Sequence, residues 1–193
     1  MDIKTAEKDT FKEISYRSSE YESLLNEVKN RDTDSYHIST FIGLYQPDKS
    51  EAAQQWADQL NLELKKFNFA EIVTKSEPKT IENINKLFDG LDASKHLLYF
   101  ENGANICGNY TGYTFSKVKY ATPQERRFLK LAQDFNGVII IDMRTKDAVD
   151  NTLLRASQSI VRFQLPKSPL KRFAWKLKHY TLHGYQIRET RLE

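Results

Sequence analysis

Short apolar runs alternate with helical stripes along most of this chain, and that alternation narrows its fold more than any other feature. Val138-Ile139-Ile140-Ile141 is the plainest run, four β-branched residues after Gly137 that suit a strand. Leu97-Leu98-Tyr99-Phe100 is a second, continuous as in a strand buried on both faces. Tyr36–Leu44 (with Ile38, Phe41 and Ile42), the alternating Asn61–Phe67 and Ser159–Leu165 complete five predicted strands. Between them lie helical patterns. Ala52, Ala53, Trp56, Ala57 and Leu60 form a stripe from near Ser50, and Ile81, Ile84, Leu87 and Phe88 another, opened by Pro78 and stopped at Gly90. Phe128, Leu129, Ala132 and Phe135 follow the start signature Thr122-Pro123-Gln124-Glu125, and a helical turn is expected around Asp150–Ala156. Strands alternating with helices imply an α/β three-layer sandwich around a mostly parallel, five-stranded sheet.

Both flanks differ from this core, which spans residues 38–168. Residues 1–37 are polar and carry Phe11, Ile14, Tyr21, Leu24, Leu25 and Val28 at helical spacings, so an N-terminal helical extension is expected to dock on the core. Pro166 and Pro169 bracket the start of a last helix with Leu170, Phe173, Ala174 and Leu177, in a basic segment, 169–193. From Lys167 to Glu193 the charge is about +5, leaving about −2 elsewhere in a chain of net charge +3. Phe173, Trp175, Tyr180 and Tyr185 interleave with those cations. The segment therefore reads either as a nucleic-acid contact over 167–193 or as an amphipathic helix with a solvated basic face.

The chain has 193 residues, 39% of them hydrophobic and 12% aromatic, enough for one domain with a real core. No apolar run approaches a membrane span, the acidic start is unlike a signal peptide, and a lone Cys107 permits no internal disulfide. A cytoplasmic protein without membrane contact is expected. The four histidines show no ligand spacing with Cys107 or an acidic cluster, which leaves a structural metal unsupported.

Chemistry is suggested at one place, Gly43-Leu44-Tyr45-Gln46-Pro47-Asp48-Lys49-Ser50. Its spelling, G-x-x-x-x-D-K-S, is one residue away from the phosphate-binding loop G-x-x-x-x-G-K-[ST]. Such a loop works because successive backbone N–H groups and the next helix's N-terminus converge on the anion. Gly43 keeps the tight start, Lys49 could reach the β- and γ-phosphates, and Ser50 could coordinate Mg²⁺. Asp48 stands where the second glycine belongs. A carboxylate about 4 Å from a phosphate charge costs roughly 4 kcal/mol at an effective dielectric of about 20, around a thousandfold in affinity. Asp is also a good N-cap, so the same residues read as an ordinary strand–turn–helix joint capped by Asp48.

Taken in succession, this loop, "LNLELKKF", "ENINKLFDGLDAS", the apolar run into "ENGANICG", then "GVIIIDMR" and "DNTLLRAS" resemble the nucleotide-binding core of an AAA+ ATPase. The resemblance runs from about Ile38 to Leu177. Typical members have GPPGTGKT, a segment ending in DEADALFG, then GVVILATN, then D-x-x-[FL]-L-R-R. It implies a P-loop NTPase-like sheet; a flavodoxin-like sheet is the alternative fold. It also implies roles that this chain fills poorly. With Gly108 on the family's last glycine, Glu101 falls at the Mg²⁺-associated Asp and Asn102 at the catalytic Glu. Asn102 cannot act as a general base toward water. Shifting the register by one makes Glu101 the catalytic carboxylate and puts Phe100 at the metal position, so one acidic role is vacant either way. Arg144 lies nearest the water-orienting Asn and could hold an anion or pair with Asp142, Asp147 or Glu101. Arg155 matches the arginine-finger region and could act in trans on a neighbouring subunit. The family's helical lid is expected to be missing after Leu182.

Together these departures predict a pseudoenzyme: a catalytically degenerate AAA+-like domain serving as a structural or regulatory protein-binding module. Its partner would be an active AAA+ homologue or a larger assembly. No cofactor is expected. Were the chain an enzyme it would be a weak ATPase, holding ATP through Gly43, Asp48, Lys49 and Ser50 and Mg²⁺ through Ser50 and Glu101. A nucleic-acid-binding module is the further alternative.

Overall fold

β5 (Val138–Met143) is buried along its whole length and forms the centre of the computed structural model, which describes residues 13–32, 35–108, 122–165 and 168–183. Beside it lie β4 (His96–Glu101) and β2 (His37–Ile42), with β3 (Glu63–Asn68) at one edge. On the other side β6 (Ser159–Arg162) pairs with β2, and β1 (Glu13–Ser15) closes that edge. The order is β1-β6-β2-β5-β4-β3, and every pairing is parallel. The sheet thus has six strands where five were expected. The extra one is Glu13-Ile14-Ser15, whose single apolar residue is too short a signal for period-two patterning.

Helices cover both faces. On one, α4 (Glu77–Phe88) and α6 (Pro123–Asp134) pack Ile84, Phe128, Leu129 and Ala132 against Ile38, Leu98, Phe100, Ile139 and Ile141. The short α3 (Phe69–Ile72), α5 (Ala104–Cys107) and α7 (Asn151–Ala156) join that face. Phe69 stacks on Phe100 at 5.0 Å while Phe128 meets Phe100 edge-on at 4.9 Å, a geometry that suits ring quadrupoles. On the other face, α1 (Ser19–Lys29) and α2 (Gln46–Leu60) bury Tyr21, Leu24, Leu25, Val28 and Trp56 over Phe41, Tyr99, Ile140 and Val161. Trp56 Nε1 donates to the Tyr21 hydroxyl at 2.9 Å, satisfying a buried indole. The N-terminal segment therefore contributes both a helix and an edge strand to the core. Residues 1–12, which hold the expected Phe11, and 109–121 lie outside the described residues.

Local chemistry sets the boundaries. Ser18, Thr122 and Asp150 each cap a helix through the side chain. α2 ends at Asn61, left-handed at φ 54°, with Leu62 N–H bonding Ala57 O, so β3 starts two residues later than the alternation suggested. α8 (Pro169–His183) follows β6.

One topological consequence matters for function. The chain leaves β2 over the α1/α2 face and leaves β5 over the α4/α6 face. The strands stay paired to their carboxyl ends, and the connections leaving them part to opposite faces, the position at which a parallel sheet can open a crevice for a ligand.

Candidate functional site

The β2–α2 joint stands at that position and is shorter than its sequence suggested. Only Gly43, Leu44 and Tyr45 separate the strand from α2, so Gln46 through Ser50 are already helical. The expected helix start near Ser50 moves back four residues. Asp48 is the third residue of α2, and Tyr45 occupies the N-cap without a side-chain cap bond. Pro47 explains the shift: its fixed φ suits the first turn, where its missing N–H costs nothing. The carboxylate of Asp48 in that turn complements the positive end of the helix dipole. Gly43 is required by crowding, since a Cβ there would sit 2.6 Å from Phe163 Cβ and 2.7 Å from Phe163 O.

Lys49 points inward from the first turn of α2. The residue is 2% exposed, and its ammonium donates to Gly43 O at 2.5 Å and to the Asp142 carboxylate and lies 3.4 Å from Met143 O. Asp142, on β5, is 5% exposed. Burial pushes the Lys49 ammonium down and the Asp142 carboxyl up, and each partner's charge opposes that push. The nearby charge of Arg144 lowers Lys49 further.

A ring of polar contacts surrounds this pair. Gln46 Nε2 donates to the Tyr99 hydroxyl at 2.9 Å and to Glu101 Oε1 at 3.3 Å, tying α2 to the end of β4. Burial raises the Tyr99 phenol well above its ordinary range. Gly103 N–H donates to Asp142 O at 2.8 Å, so the β4 exit lies across β5. Asp48 is held from outside the sheet: Trp175 of α8 donates Nε1 to Oδ2 at 3.1 Å, and an Arg17 guanidinium nitrogen is 3.9 Å from Oδ1. The Trp175 ring meets Tyr45 edge-on at 5.0 Å, so α8 lies over the joint.

The other predicted residues divide. Ser50 is half-buried, and its hydroxyl accepts from Lys66 Nζ at 2.7 Å. Glu101 is half-buried beside Gln46. Asn102 adopts a left-handed φ of 56°, is exposed, and donates to Asn68 Oδ1 at 2.8 Å. Arg144 is exposed just beyond β5, and Arg155 is exposed in the last turn of α7. Among the described residues no hydrogen bond or ion pair joins Arg155 to the Lys49 network, and no group of three His, Cys, Asp or Glu residues could hold a metal. Tyr45, Gln46, Tyr99 and Trp175 belong to the site without having been singled out for it. The one signal for them was a carboxylate, Asp142, ending an apolar run, because a buried charge demands partners.

Lys49 is committed to Asp142 and two carbonyls, Pro47 removes one amide from the helix N-terminus, and Asp48 sets a carboxylate there. The Ser50 hydroxyl is engaged by Lys66.

No family model matches the sequence, and no curated protein matches it. By structure, 350 chains match, a breadth that identifies an architecture and no single activity. One belongs to the E. coli MS115-1 HORMA:CdnC:Trip13 complex. It is 11% identical, with a TM-score of 0.53 over 86% of this chain and 67% of that one. The likeness concerns the fold, a helix-covered, all-parallel sheet. Among the described residues no helix is long and apolar enough to cross a membrane.

Proposed function

We propose that this chain is a catalytically degenerate AAA+-like domain that works as a structural or regulatory protein-binding module. The observation that carries this reading is the commitment of Lys49 to Asp142 and Gly43 O. For Lys49 to turn to a phosphate, Asp142 would be left as an uncompensated buried charge beside a second anion. Breaking a buried pair in that way costs about 3–5 kcal/mol, or roughly two to four orders of magnitude in affinity. Asn102, exposed and bonded to Asn68, supplies no base for water. The structural neighbour comes from an assembly of several proteins. A role through partners is the one proposed here, and an active AAA+ homologue is the first partner to test.

The test is titration of the full chain with labelled ATP and Mg²⁺ up to about 100 µM. No saturable binding and no nucleotide-dependent rise in melting temperature are expected. Saturable binding that Lys49→Met abolishes, in a variant that still melts cooperatively, would overturn the reading in favour of a weak ATPase. The melting shift of the unaltered protein gives the same answer if that variant does not fold.

A further inference from the structure

The apolar seam of α8 faces away from the domain that carries it. Leu170, Phe173 and Leu177 are 81%, 61% and 51% exposed, at spacings of three and four. Among the described side chains of α8, Trp175 is the one that turns inward, onto Asp48 and Tyr45. At about 100° per residue, it lies roughly 165° around the helix from the centre of the Leu/Phe stripe. An amphipathic helix ordinarily lays its apolar stripe on the core; here an indole anchors the opposite side and the stripe is presented outward. Leu165, which leads into α8, is also exposed.

The pattern selects an occupant. Spacings of three and four give the narrow seam of a helix–helix contact, whereas a helix lying in a membrane surface uses a broad apolar face. From Pro169 to His183 the chain places Lys171, Arg172, Lys176 and Lys178 and no carboxylate. A second copy of α8 would set like charges against like, so charge complementarity favours an acidic partner.

We propose that α8 is the docking site for an acidic amphipathic helix of a partner protein, which lays its own apolar seam along Leu170, Phe173 and Leu177. The proposal rests on the protein-binding reading above and gives its partner a chemistry. It does not involve the Lys49 network.

The probe is a labelled synthetic helix of about three heptads, with Leu at a and d and Glu at e and g. Titrated against the full chain, it is expected to bind, and to bind about tenfold more weakly when Leu170→Ser and Phe173→Ser are combined. Both residues are exposed, so the double variant should melt as the unaltered protein does. A second probe with Lys at e and g is expected not to bind. Failure of the acidic helix to bind, equal binding of the two helices, or indifference to the double variant would overturn the proposal. So would preferential retention on duplex DNA or on phosphatidylcholine–phosphatidylserine vesicles that the double variant loses. ATP binding is scored separately: a chain that binds neither nucleotide nor the acidic helix loses this docking site alone. One that binds both loses the pseudoenzyme reading alone.

Discussion

The Lys49 ammonium and the Asp142 carboxylate neutralise each other at the point where the connections leaving β2 and β5 part to opposite faces of the sheet. A crevice there is normally where a parallel sheet receives a ligand. In this chain it is filled from within, by one residue of the first helical turn and one near the end of the central strand. Gly43 and Met143 carbonyls take up the remaining ammonium donors. The pair is therefore both the strongest argument against nucleotide binding and a structural element in its own right.

If it is structural, breaking it from one side should be severe and removing it whole should not. Lys49→Met or Asp142→Asn alone leaves a buried group without its partner and is expected to lower stability by about 3–5 kcal/mol in urea denaturation. Lys49→Met combined with Asp142→Leu should lose markedly less than the sum of the singles, because both charges go together. Strictly additive losses would show that the two side chains contribute independently.

α8 should be the first element to detach. Apart from Ser168 before it, Trp175 is the half-buried residue among the described side chains of that helix, with Leu170, Phe173 and Leu177 turned to solvent. Trp175→Phe keeps a ring against Tyr45 but removes the donor to Asp48. It is expected to cost about 1–2 kcal/mol of helix docking. Limited proteolysis reads this as faster cleavage within 168–183, with the melting of the sheet little changed. Unaltered cleavage would mean that α8 is held by something other than Trp175.

These two contacts also show what could and could not be read from the chain. The parallel sheet was legible because Val138–Ile141 and Leu97–Phe100 must be buried on both faces and helical stripes separate them. β1 was not, since three residues with one apolar side chain carry no period. Lys49 was legible as the reactive-looking residue of a loop motif, but its partner lies 93 positions away, and spacing says nothing about that. The loop itself misled: Asp48 was weighed as a flaw in a phosphate turn or as the cap of a later helix, whereas with Pro47 it lies in the first turn of a helix that starts earlier. α8 was legible as an amphipathic helix. Its orientation was not, because that depends on Trp175 finding Asp48, 127 positions away.

Glu125 makes stability fall as pH rises. Its side chain is buried in the first turn of α6, Oε1 has no hydrogen-bond partner, and burial together with the nearby Asp150 charge raises its carboxyl from 4.5 to about 8. The unfolded chain therefore releases this proton near pH 4.5 and the folded chain near pH 8, so the favourable term is complete below the first value and lost through the second. Glu125→Gln should remove that slope and leave the protein more stable than the unaltered chain at about pH 8, by on the order of 3 kcal/mol. Denaturant midpoints measured across this range decide it; parallel pH profiles for the two proteins would rule out a protonated, buried Glu125.

His37 works in the opposite direction at the acid end. Burial and the Arg31 charge lower its imidazole from 6.5 to about 4, and Nε2 lies 3.0 Å from the Ser159 hydroxyl, joining β2 to β6. The unfolded chain takes up a proton below pH 6.5 while the folded chain resists until about pH 4. The stabilising term is thus present above 6.5 and disappears through that window on acidification. About 3 kcal/mol is at stake. His37→Gln retains a group able to bond Ser159 but cannot titrate, so it should be less sensitive than the unaltered protein between pH 6.5 and 4. The two proteins should be of similar stability above pH 6.5 and diverge as the pH approaches 4, with the variant the more stable; NMR titration of the ring reads the same shift directly. A ring that titrates near 6.5 in the folded protein would show that His37 is hydrated at the strand edge.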